Sequence, residues 1–130
     1  MEAKSHKAME EVIVADGRYP IEAFSLLHEG LNRAVQDEHG EKAGTTGAHV
    51  SGADICHAIR ALANERWGMM TKTVLKKWNI HETMDFGNMV YLMIEHDFLR
   101  RTDEDSLEDF RDVYDFDTAF APSEKFDLKD

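Results

Sequence analysis

The sequence predicts a mainly α-helical domain with a winged-helix-like core and an acidic C-terminal segment. Three observations carry that expectation. Apolar residues recur at three- and four-residue steps along most of the chain. Helix-start signals stand at Ser51 and Thr83. Between them, Asn79 separates two helical stretches at the spacing of a helix-turn-helix, and "FLRRT" (98–102) comes next, where a wing would begin.

Residues 5–15 place Met9, Val12 and Ile13 at helical spacing, with Asp16-Gly17 as the stop, although "VIV" also reads as a short strand. Pro20 suits the first position of the next helix, where its missing N–H costs nothing. Phe24, Leu27, Leu31 and Val35 then mark one inward face, up to His39-Gly40. "HGEKAGTTGAHVSG" (39–52) holds four of the eight glycines and reads as a flexible surface loop. Its spacing fails that of a phosphate-binding loop.

Ser51 is placed to cap a helix, with Asp54 completing a capping box and Val50 and Ile55 a hydrophobic staple. Ile55, Ile59, Leu62 and the stem of Arg66 line its expected buried face, and Trp67-Gly68 closes it. A helix over 69–78 is expected to turn Met70, Val74 and Trp78 inward and Lys72, Lys76 and Lys77 outward. Asn79 tolerates the left-handed backbone of a helix end. Thr83 is expected to cap a helix over 84–96 that is apolar nearly all round, a pattern of burial on several sides or of a partner interface.

Residues 98–116 support two readings, a short β-hairpin or a turn of helix begun by a Ser106/Asp109 capping box. The expected domain spans 1–120, and 121–130 reads as a mobile acidic tail.

The formal charge of −11 is unevenly spread. Eleven acidic residues against Arg111, Lys125 and Lys129 leave −8 over 102–130, so the other 101 residues carry only −3. Such a segment repels phosphates and attracts basic protein surfaces. A lone cysteine, Cys56, and an N-terminus without an apolar signal stretch predict a cytoplasmic protein, and no apolar run suggests a membrane span.

In a DNA-reading winged helix, 84–96 would enter the major groove, yet it holds neither Arg nor Lys and presents Asp85, Asn88 and Glu95. Lys72, Lys76, Lys77, Arg100 and Arg101 form the basic patch that a nucleic-acid or ribosome-associated role would need, nearly cancelled by Glu82, Asp85, Glu95 and Asp97.

"RYPIEAFSLLHEGL", "HVSGADICHAIR", "WNIHETMDFGNMVYLMIE", "TDEDSLEDF" and "YDFDTAF" occur in that order. Together they resemble a small bacterial family of unknown function, the Minf family, over Tyr19 to Phe120. That family usually has glycine where this chain has Asn79 and Asp97. The resemblance implies the fold and brings no activity, cofactor or site residue.

Cys56-His57 suggests a nucleophile beside a base, but neighbours on a helix point about 100° apart. His49, Asp54 and His57 are the grouping that a small metal-binding protein would use, "DEDSLED" (103–109) clusters oxygens without the glycine and spacing of an EF-hand loop, and "DFG" (85–87) stands without the other parts of a kinase. No catalytic, cofactor-binding or metal site is assigned from the sequence. The leading expectation is a protein–protein interaction module that engages a basic surface through its acidic segment, or self-associates through the helix at 84–96. The alternative is the nucleic-acid-associated factor.

Overall fold

A computed structural model describes residues 6–39 and 50–120 of the chain. The Gly-rich stretch and the segment beyond Phe120, on which the loop and tail expectations fall, lie outside the described residues. The elements are α1 (His6–Asp16), α2 (Ile21–His39), α3 (Gly52–Trp67), a 3-10 turn (Gly68–Met70), α4 (Thr71–Lys77), α5 (Thr83–Glu95), a 3-10 turn (Leu107–Phe110) and α6 (Phe116–Ala119). The fold is mainly α, and among the described residues there is no strand.

The capping box at Ser51 forms as the sequence predicts. The Asp54 backbone N–H donates to the Ser51 hydroxyl (3.1 Å), and the Ser51 N–H donates to the Asp54 carboxylate (3.0 Å). Ile55 and Ile59 face the core, but the Arg66 expectation needs correction. Its side chain is exposed and pairs with Glu29 of α2.

The inward face of α4 is corrected in part: Trp78 packs against the core as expected, but Thr71 and Leu75 are the fully buried residues, whereas Met70 is 55% exposed. The 3-10 turn ahead of α4 winds three residues per turn rather than 3.6, which shifts the register of the whole helix. Thr71 tolerates burial because its hydroxyl reaches the carbonyl oxygens of Gly68 (2.7 Å) and Ala63 (3.2 Å).

Helices α4 and α5 end alike. Asn79 and Asp97 both have φ of 66°. The next N–H in each case reaches back across the last turn, Ile80 to Leu75 (2.9 Å) and Phe98 to Met93 (2.8 Å). This pairing satisfies carbonyls that a helix end otherwise leaves unpaired.

At the start of α5 the cap is Glu82, not Thr83. Asp85 accepts from the backbone N–H of His81 (2.7 Å) and Glu82 (3.1 Å). Thr83, one residue inside the helix, turns into the core at 1% exposure. The breadth of apolar residues on α5 is used internally, since Phe86, Met89, Val90, Leu92 and Met93 are all buried.

The hairpin reading of 98–116 is replaced by a strap of short turns, each closed by its own side chains. Asp105 accepts from the Thr102 N–H (2.8 Å), Asp109 from Ser106 (3.0 Å) and Asp115 from Thr118 (3.2 Å). Ser and Asp side chains that bond nearby backbone N–H groups compete with strand pairing, and here they prevail.

Candidate interaction surface

The strap is fixed to the helices by a few directional contacts. The Thr83 hydroxyl donates to the Phe110 carbonyl (2.6 Å) and accepts from the Val113 N–H (3.1 Å). The Tyr114 hydroxyl donates to the Cys56 carbonyl on α3 (2.8 Å). Asp117 pairs with Lys72 of α4 at 2.7 Å. Beneath these, Tyr114, Phe116 and Phe120 pack edge-on or stacked with centroids 5.0–6.0 Å apart. Burial raises the Tyr114 phenol well above its ordinary range.

Much of the acidic segment is thereby consumed in holding its own shape. Asp105, Asp109 and Asp115 close turns, Glu108 pairs with Arg111 and Asp117 with Lys72. What the strap presents outward is a groove of about 500 Å³ lined by His81, Glu82, Asp112, Tyr114, Asp115, Phe116 and Asp117. Glu82, Asp112, Asp115 and Asp117 are exposed at its rim, and Tyr114 and Phe116 are half-buried in its floor. Alternation of Asp112, Asp115 and Asp117 with Tyr114 and Phe116 is the signal in the sequence, legible only once the backbone path is known.

Two residues of the expected basic patch are engaged within the chain: Lys72 pairs with Asp117, and Arg101 donates to the Asp105 carbonyl (2.9 Å). Lys76, Lys77 and Arg100 are exposed. Two of the three polar residues that α5 would offer to bases are engaged as well. Asp85 accepts from the Tyr19 hydroxyl (2.6 Å), and Asn88 donates to the same hydroxyl (3.3 Å). Burial, with the Asp85 bond, pushes the Tyr19 phenol up to about 12.

His49 of the metal grouping lies outside the described residues. Asp54 serves the α3 cap, and the His57 ring packs against Tyr114 at 5.8 Å. Among the described residues no three His, Cys, Asp or Glu side chains are grouped to hold a metal ion. Cys56 is fully buried, and burial pushes its thiol up to about 12, the reverse of an activated nucleophile. Within "DFG", Asp85 closes the start of α5 and Phe86 fills core. Gly87 accommodates Phe110 of the strap rather than another helix. Among the described residues no helix is long and apolar enough to cross a membrane.

Comparisons with protein-family models, curated proteins and solved structures gave no match.

Proposed function

We propose that the chain is a small interaction module that takes up a basic segment of a partner protein in the groove between the 81–82 turn and the 112–117 turn. The observation that carries this reading is the composition of the groove, exposed carboxylates of Glu82, Asp112 and Asp115 around the Tyr114 and Phe116 rings. An entering Lys or Arg meets acceptors for its charged head and apolar surface for its stem. Tyr114 already carries one guanidinium, that of Arg60, 5.8 Å from the ring centroid. The anchoring of the strap through Thr83 and Tyr114 reduces the ordering cost of binding.

The test is a titration of the full chain with a short arginine-rich peptide, monitored by two-dimensional NMR. The expected result is saturable shifts centred on 81–82 and 112–117, lost in Glu82→Lys/Asp112→Lys. Shifts spread evenly over all acidic residues, or none, would overturn the reading.

The order α3–α4–α5, with short turns, supports a helix-turn-helix-like core in which the strap stands where a wing would be. Burial of α5 argues against its use on a duplex. Titration with duplex DNA and with RNA at low salt tests this second reading, and affinity falling steeply with salt would favour it. We also propose membership of the Minf family, supported by the left-handed backbone at Asn79 and Asp97, where that family usually has glycine.

A further inference from the structure

The geometry points to a second site, a cavity of about 280 Å³ between α2, the start of α3, α5 and the 99–110 segment, suited to a free apolar amino acid. It shares no lining residue with the acidic groove.

The body of the cavity is aliphatic, formed by Leu27, Leu31 and Val35 of α2, Ile55 of α3 and Ile94 of α5. Its charged lining residues are of both signs, Arg100 against Asp105 and Asp109. Arg100 is exposed and makes no ion pair among the described residues. Asp109 accepts from the Ser106 backbone through one carboxylate oxygen, Oδ2. A ligand with an apolar body therefore meets a cation and carboxylates together. A fatty acid would satisfy Arg100 and be repelled by the Asp109 carboxylate; an alkylamine would have the opposite difficulty. A zwitterion satisfies both, with its carboxylate on Arg100 and its ammonium on Asp109.

Size agrees with this choice. Cavities for drug-sized ligands run from roughly 300 to 1,000 Å³, so this one lies at the small end of that range and has room for a small molecule. The wall also contains Tyr91, whose buried hydroxyl has no hydrogen-bond partner among the described residues. Native proteins rarely leave such a group unpaired.

The experiment is an NMR titration of the full chain with L-leucine and L-phenylalanine. Parallel titrations use 4-methylpentanoate (no ammonium), 3-methylbutylamine (no carboxylate) and glycine (no apolar body). Saturable shifts at Leu31, Arg100 and Asp109 with at least one apolar amino acid are expected. The three truncated compounds should bind about tenfold more weakly or not at all, and Arg100→Gln should weaken leucine by about tenfold. Three results would overturn the assignment: no saturable binding of either amino acid at millimolar concentration, equal affinity for 4-methylpentanoate, or unchanged affinity in Arg100→Gln.

Discussion

Phe110 is wedged against Gly87 of α5: a Cβ built on that glycine would lie 2.8 Å from the Cβ of Phe110. Gly52, at the start of α3, meets the far edge of the same ring, where an added Cβ would lie 2.8 Å from Cε1. One strap residue thus occupies notches in two helices, and both notches require glycine for space rather than for backbone conformation.

Gly87→Ala sets two effects against each other. Alanine gains about 1 kcal/mol of helix propensity, while overpacking against a main-chain-anchored group costs roughly 1–3 kcal/mol. Because the opposing atom is the Cβ of Phe110 and cannot rotate away, a net loss of about 1–2 kcal/mol is expected in urea unfolding. A more stable variant would mean that Phe110 is not seated there in solution.

Thr83 separates a hydrogen-bonding role from a packing role. Thr83→Val keeps the shape but leaves the Phe110 carbonyl and the Val113 N–H without their partner, at a cost of about 1–3 kcal/mol. Thr83→Ser keeps both bonds and loses a methyl group, at about 1 kcal/mol. Urea midpoints should therefore rank wild type, Ser, Val. Val at or above Ser would show that the hydroxyl is not what holds the strap.

Glycine at the two left-handed helix ends should have unequal effects. Asp97→Gly relieves backbone strain and removes a negative charge beside the negative end of α5, so a gain of about 0.5–1.5 kcal/mol is expected. Asn79→Gly relieves similar strain but loses bonds from its side chain to the Arg18 carbonyl (3.1 Å) and to His81 (3.1 Å). Thermal unfolding should show a larger increase for Asp97→Gly; the reverse order would mean that the Asn79 bonds contribute little.

Stability should fall on the alkaline side. Burial holds the Cys56 thiol protonated up to about 12 against its ordinary 9.0, and the Tyr19 phenol up to about 12 against 10.0. Between those limits the unfolded chain releases protons that the folded chain keeps, so rising pH favours unfolding. The slope approaches about 1.4 kcal/mol per pH unit for each fully responding group. Urea midpoints should be flat near pH 8 and fall above about pH 9, and Cys56→Ala should move the onset toward about pH 10, where tyrosine begins to respond.

Helix positions and ends are legible in the sequence because they are set locally. The Ser51 box, the glycine stop after α1 and the left-handed Asn79 each depend on residues within one or two turns. The acidic excess over 102–130 and the apolar breadth of α5 are also visible there, but their meaning is not. Whether α5 faces a partner or its own core depends on what packs across it, and α2, α3 and the strap do so.

What only the tertiary structure decided is where the strap goes. Thr83 reads as a cap because threonine before an apolar run usually is one; its hydroxyl instead serves backbone groups 27 and 30 residues away. The phase of α4 escapes the sequence because one 3-10 turn rotates it, an event with no periodic signal. Among the carboxylates of 103–117, Asp105 and Asp109 close turns and Asp112 lines the groove, while Asp115 and Asp117 do both, according to which backbone N–H or cation lies within reach. Local propensity fixes the helices; contacts between residues far apart in sequence choose their faces and build the groove.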